Sequence, residues 1–334
     1  MTSQSDFPSI KIRFRGVRGS TPSPGPTTAR YGGNTSCIEV RAGSDILILD
    51  AGTGIRSLGA DLVGEFGSRP IHASVLISHT HWDHIQGLPF FAPGFVAKNR
   101  IRLIAPKNQS AKLKRALANQ MEPIHFPIGV NEMCGLGEVE ELPSDTAAII
   151  GTFTIAVTEL NHPGGCAGFR IEANGTSLAY LPDHEPFYAR GLVPKNTAAQ
   201  LRAEALTEFV REVDMLILDA QYTSAEYPQR IGWGHGCLPE TVGLARKAGV
   251  KHLVLFHHDP SHDDDQVDAM VETSRELARP TEMLISAAKE TDTIILSSVA
   301  FQSGCRMSDA LYGSPAASLE SLVAGKILSQ QRRN

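Results

Sequence analysis

Two hydrophobic rhythms alternate along the chain between residues 10 and 296. Short runs rich in Val, Ile and Leu predict strands at 10–15, 36–41, 45–49, 73–77, 101–104, 153–160, 167–171, 177–181, 214–218, 251–256 and 293–296. Several run straight into Asp, Ser or His, as buried strands with functional C-terminal ends do. Apolar residues three and four apart predict helices between them. Ile55, Leu58, Leu62 and Phe66 share one face, Leu201, Ala205 and Phe209 another, and Val267, Met270 and Val271 a third. Segment 238–248 has Pro239 near its start and Gly249 just past its end, the expected helix punctuation. Segment 108–119 is basic and amphipathic, and its charges need be nothing more than a solvated face. The strand pair 36–41 and 45–49 recurs as 167–171 and 177–181, the latter joined through an Asn174-Gly175 hairpin signal.

This order predicts an α/β (α+β) fold in four layers, αββα, with two mixed sheets face to face and helices outside. No Pro/Ser-rich linker divides the chain, so residues 8–300 read as one domain. Two longer stretches, about 93–152 and 185–214, read as insertions that could roof a pocket, with Phe126, Phe187 or Tyr188 as apolar walls. The tail 303–334 is rich in Ser, Ala and Gly, and reads as a loosely docked helix around 318–328 or as partly disordered.

Composition narrows the picture a little. The 334 residues are 42% hydrophobic, enough for a real core, and the net charge of −5 argues against a surface built to grip long nucleic acid. The first six residues are polar, and no apolar stretch is long enough to span a bilayer, so no membrane association is expected. Five scattered cysteines, without C-x-x-C spacing, read as reduced thiols in a cytoplasmic protein, with Cys37 and Cys166 in the core.

The chemistry is concentrated in one block, His79-Thr80-His81-Trp82-Asp83-His84, directly after the apolar run 73–77 and Ser78. Four metal-ligating side chains on a strand-to-helix turn need something to order and neutralise them, and a metal does both. On an extended segment His79 and His81 point to one side, while Asp83 and His84 fall on the first helical turn. One such turn can feed two adjacent metals. Further ligands must come from elsewhere, and three candidates each lie just past an apolar run: His162 before Pro163-Gly164-Gly165, Asp183 after Leu181-Pro182, and His257 in Phe256-His257-His258-Asp259. Strand ends of open α/β folds converge on one edge, so these can meet the turn. The choice between His257 and His258 stays open at this level.

With these motifs the chain resembles the metallo-β-lactamase superfamily, over about residues 10–296. The resemblance implies His79, His81 and His162 on a first metal, Asp83, His84 and His257 on a second, and Asp183 bridging them. It therefore implies two divalent ions, zinc foremost and manganese or iron as alternatives. Asp183 stands where antibiotic-hydrolysing members often carry Cys. Arg15-Gly16-Val17-Arg18-Gly19-Ser20-Thr21-Pro22, Gly32-Gly33-Asn34-Thr35-Ser36 and Asp50-Ala51-Gly52-Thr53-Gly54 resemble the ribonuclease Z and cyclic-nucleotide phosphodiesterase branch. That likeness gives Asp50 a bracing role behind the turn, with a helix N-cap as the alternative of equal standing. It makes His235, in Gly234-His235-Gly236, the general acid and Asp219 the carboxylate that orients it. With the ligand Asp83, these are the expected catalytic groups.

The implied reaction is attack on phosphorus by a hydroxide held between the two metals, with His235 protonating the leaving alkoxide. A thiolate would leave without such help, so His235 favours diesters over thioesters. No long Gly/Pro-rich arm of the kind that clamps transfer RNA is visible. The leading expectation is a phosphodiesterase for a small or cyclic phosphodiester, with nucleic acid not favoured as a partner. A thioester or ester hydrolase, an RNA-processing nuclease and a non-catalytic metal sensor are the alternatives, and a homo-oligomer is compatible with the sequence.

Overall fold

A computed structural model describes residues 9–187 and 197–297. The expectations for Tyr188 and for the tail helix around 318–328 lie outside these residues. Within them, two seven-stranded mixed sheets pack face to face with helices on both outer surfaces. The fold is the expected αββα sandwich.

The first sheet contains β1 (Ser9–Gly16), β2 (Cys37–Ala42), β3 (Asp45–Leu49), β4 (His72–Leu76), β5 (Arg100–Pro106), β6 (Leu136–Leu142) and β14 (Thr293–Ser297). Its spatial order is β14-β1-β2-β3-β4-β5-β6. The second contains β7 (Ala148–Ile150), β8 (Phe153–Leu160), β9 (Cys166–Ala173), β10 (Thr176–Leu181), β11 (Met215–Asp219), β12 (His252–Phe256) and β13 (Leu284–Ala287), in the order β13-β12-β11-β10-β9-β8-β7. Each sheet is antiparallel on one flank and parallel on the other: β3, β4, β5 and β6 run together, as do β10, β11, β12 and β13.

Alternation along the strands explains the layers. Ile10, Ile12, Phe14, Val40, Leu47 and Leu49 of the first sheet meet Phe153, Phe169, Ile171, Tyr180, Ile217 and Phe256 of the second in a central core. The opposite faces of the first sheet pack on α1 (Ile55–Phe66) and α3 (Lys107–Gln120). Those of the second pack on α4 (Thr197–Phe209), α5 (Leu238–Ala248) and α6 (Asp264–Ala278). Cys37 and Cys166 are buried, as expected.

Three strands were not legible. β6 is mostly exposed and carries three glutamates, β7 has only three residues, and β13 is a four-residue edge. Such strands are defined by pairing and carry little hydrophobic alternation of their own. Their discovery changes the reading of residues 93–152. That stretch is largely sheet and helix: it supplies β5, α3, β6 and β7 and so completes both sheets.

Candidate metal centre

The parallel flanks aim their C-terminal ends at one edge, where the two sheets touch. Ala167 N donates to Ser78 O at 3.1 Å, and Tyr180 Oη donates across the sheets to Asp50 Oδ2 at 2.8 Å. At this edge β3 leads into Asp50, β4 into the turn 79–84, β10 into Asp183, β11 ends in Asp219, and β12 leads into His257. The α2 turn (Trp82–Ile85) follows at once, with His81 as its extended N-cap residue.

All seven expected ligands converge. Ligand atoms of His79, His81, His162 and Asp183 lie within 4.8 Å of one another, and so do those of Asp83, His84 and His257. Asp183 stands between the groups. Its Oδ2 is 3.5 Å from both His79 Nε2 and His162 Nε2, while its Oδ1 is 3.1 Å from His84 Nε2 and 3.4 Å from His257 Nε2. Asp83 Oδ2 lies 3.2 Å from His84 Nε2 and 3.1 Å from His257 Nε2. His81 Nδ1 and His162 Nε2 face each other at 2.9 Å.

Behind this layer, partners fix the imidazole rings. His84 Nδ1 donates to Asp50 Oδ2 at 2.8 Å, His162 Nδ1 to Gly234 O at 2.8 Å and His257 Nδ1 to Gln221 Oε1 at 2.9 Å. Each bond puts a proton on Nδ1 and turns Nε2 toward the centre. Asp50 also accepts from Ser78 N at 2.7 Å and Ser78 Oγ at 2.8 Å, so it braces the turn and is not merely a helix cap. Ser20 N donates to Asp83 Oδ2 at 2.8 Å.

His257 adopts a left-handed backbone (φ 60°), and Gly19 lies against its ring: a Cβ at Gly19 would come within 2.4 Å of it. His258 points away and donates from Nε2 to Ala288 O at 2.9 Å, with burial pushing it down to about 3. The open choice between the two histidines therefore falls to His257 on geometry.

Buried His79 Nε2, His84 Nε2 and Asp183 Oδ1 have no hydrogen-bond partner among the described residues. Orphaned atoms of this kind are costly unless something binds them. Burial, then the neighbouring His84, keeps His79 well below its ordinary value, so it is a neutral donor. Burial opposes charge on Asp183, yet His257, His84 and His79 hold its carboxyl well below the usual carboxylate range. Lone-pair imidazoles around an ionised carboxylate suit zinc, manganese or iron.

His235 stands beside this cluster. Its Nδ1 lies 3.0 Å from Asp219 Oδ2 and 3.9 Å from Asp183 Oδ2. Burial opposes its charged form, but Asp219 outweighs this and the imidazole is pushed up to about 9. Asp219 is itself fixed by Gln221 N at 2.9 Å and His184 N at 3.1 Å. Ser20, Thr80, His81, Trp82, Asp83, Asp183 and His235 line an open pocket of about 410 Å³.

The profile of the beta-lactamase superfamily domain matches residues 46–258. The chain belongs to the metallo-β-lactamase superfamily. It is a metal-dependent hydrolase of that fold. Among relatives, Ribonuclease Z of Myxococcus xanthus is 24% identical over 308 residues, covering 82% of this chain and 95% of that protein. Among solved structures, unliganded yeast PDE1 superposes with a TM-score of 0.61 at 14% identity, over 87% of this chain and 100% of that one. The short form of human tRNase Z gives 0.56 at 19% identity, over 86% and 98%. At these identities the superpositions speak for the fold alone.

The expected apolar walls are not where the sequence suggested. Phe126 packs edge-on against Phe90, with ring centroids 5.5 Å apart. Phe187 lines a separate cavity of about 270 Å³ with His184, Leu206 and Thr241. Among the described residues, the large aromatic side chain lining the metal pocket is Trp82, hidden in the sequence by the ligands that flank it. Gln221 and Glu185 were also missed. Glu185 accepts from Gly232 N at 2.7 Å, Gly234 N at 2.9 Å and Tyr227 Oη at 2.9 Å, and so fixes the loop before His235. The only signal for either was its place two residues beyond an acidic strand-end residue, Asp219 or Asp183.

Proposed function

We propose that this hydrolase is a phosphodiesterase with two divalent metal ions, zinc foremost. His79, His81 and His162 would hold one ion, Asp83, His84 and His257 the other, and Asp183 would belong to both. Such a pair, when bound, activates water and offsets charge on the phosphoryl oxygens. Asp50, Gly234 O and Gln221 hold the ligand rings in their donating tautomers. His235 holds a proton beside the reacting phosphorus and gives it to the departing alkoxide, while Asp219 orients the ring and keeps it protonated at neutral pH.

One observation carries this reading. The His235–Asp219 pair abuts the carboxylate around which both ligand groups gather. A thioesterase has no need of that acid. A small or cyclic diester suits the pocket of about 410 Å³, and the net charge of −5 argues against a long polyanion.

A second reading, an RNA-processing nuclease, is favoured by the likeness to Ribonuclease Z over nearly its whole length. Helix α3 adds to it: Lys107, Lys112, Lys114 and Arg115 are exposed on a helix without acidic residues. Lys112 Nζ donates to Gly164 O at 2.8 Å, two residues beyond His162.

The test is hydrolysis of a cyclic nucleotide, bis-p-nitrophenyl phosphate, a thioester and a precursor transfer RNA by wild type and His235→Ala. Loss of roughly 10²–10⁴-fold on the cyclic nucleotide is expected, with metal content retained and a smaller loss where p-nitrophenolate leaves. Undiminished cleavage of the cyclic diester by His235→Ala removes the proposed acid. Cleavage of the RNA alone moves the assignment to the nuclease.

A further inference from the structure

Trp82 leaves 75% of its surface in solvent, although it stands between two candidate ligands. Other exposed aromatic rings find company. Phe90 meets Phe126, and the Arg230 guanidinium lies 4.7 Å over the Trp233 ring. Among the described residues, the Trp82 indole has no aromatic or cationic neighbour of this kind.

Its backbone, by contrast, is fixed. Gln86 N donates to Trp82 O at 2.7 Å, and His84 N donates to His81 O at 3.0 Å. The flanking residues His81 and Asp83 face the centre, so this turn cannot shift without undoing the ligand groups. The indole lines the open pocket together with Ser20, Asp83, Asp183 and His235. A large, flat, apolar side chain thus stands on a fixed backbone beside the pocket. Covering such a ring with a flat apolar partner is favourable.

Resting on the phosphodiesterase reading, we propose that Trp82 is the stacking platform for a heteroaromatic base carried by the diester. It makes the enzyme selective for nucleotide over aliphatic diesters. Every base has a π-face, so stacking of this kind separates bases from aliphatic groups and hardly separates one base from another.

The holoenzyme, Trp82→Ala and Trp82→Phe are compared on 3′,5′-cyclic AMP and on glycerophosphocholine, with metal content measured in each. The ratio of kcat/KM for the cyclic nucleotide to that for the aliphatic diester is expected to fall roughly ten- to a hundredfold in Trp82→Ala. Trp82→Phe should recover most of it. An unchanged ratio overturns the proposal, and so does a parallel loss on both substrates accompanied by loss of metal.

Binding supplies a second readout. The chain has two tryptophans, so Trp233→Phe leaves Trp82 as the sole indole reporter. AMP should quench its fluorescence and ribose 5-phosphate should not. If wild type hydrolyses neither diester, the phosphodiesterase reading falls, and fluorescence still decides the platform: quenching by AMP supports it and silence removes it.

Discussion

The two halves of the sandwich reach the same edge by different routes. Each contributes a seven-stranded sheet with one parallel flank whose strand ends face the centre. In the first half, four candidate ligands sit on one turn, residues 79–84, after a single strand. In the second half, His162, Asp183 and His257 follow three separate strands, β8, β10 and β12, with one ligand each. The first arrangement is local. The second exists only because β10, β11 and β12 pair in parallel, with Leu181 opposite Leu218 and Asp219 opposite Phe256. Both halves also place a non-glycine residue in a left-handed conformation just past a strand, Asp50 (φ 58°) after β3 and His257 (φ 60°) after β12. The braces differ too. Asp50 ties the turn through three bonds and accepts a fourth from Tyr180 across the sheets, whereas Gln221 holds His257 through one. Loss of one ligand from the turn should be tolerated better than loss of the carboxylate between the two groups.

The sharpest way to break this comparison is Asp183→Asn. Because both ligand groups face this carboxylate, retained metal should fall below one ion per chain and diester hydrolysis by at least about a thousandfold, about 4 kcal/mol in the barrier. His257→Ala should leave the group around His79, His81 and His162 able to retain one ion. Elemental analysis decides, and two ions retained in Asp183→Asn would end the bridging role.

The next effect concerns the proton on His235. Its value is raised, so the charged form persists through neutrality and is lost as pH rises through about 9. Asp219→Asn removes the largest raising influence, leaves only Asp183 and Asp83 against burial, and should bring the imidazole well down from about 9. Histidine NMR titration of chelator-treated protein measures it directly. A midpoint still near 9 in Asp219→Asn would sink the orienting role.

The braces should separate the halves more modestly. Asp50→Asn should weaken metal affinity roughly 10–100-fold, and Gln221→Ala should fall at the lower end of that range. Competition with a chelating dye ranks them. Equal losses would show that three bonds hold the turn no better than one holds His257.

The last effect is on stability and not on the site, and it lies at the opposite end of β12. Buried His252, hydrogen-bonded to Ser286 Oγ at 2.8 Å, is pushed down to about 3 by burial. A depressed value means that the unfolded chain binds the proton more readily. Stability is therefore full above about pH 6.5 and declines as pH falls toward 3, by at most about 1.4 kcal/mol per pH unit. His252→Gln should flatten that part of the acid denaturation curve, read by urea unfolding at several pH values.

Much of this was legible before the fold. Residues 79–84 announce themselves because their ligand spacing is dictated by neighbouring dihedral angles. His162, Asp183 and His257 were found from a rule about strand ends, and their identity leaned on family resemblance. Gln221, Glu185 and Ser20 were not found, because a neutral or singly charged loop residue gains meaning only from what it touches. Trp82 was visible yet unread, since neither its exposure nor its pocket follows from its neighbours in sequence.

The sequence by itself determined the alternating elements, the paired hairpins and the crowded turn, since strand and helix periods and short-range ligand spacing are local properties of the chain. Only the tertiary structure decided that Asp183 stands between two groups, that His257 and not His258 faces them, and that stretch 93–152 completes both sheets. Those outcomes depend on strand pairing and on burial, which bring together side chains separated by up to 178 positions (His79 and His257).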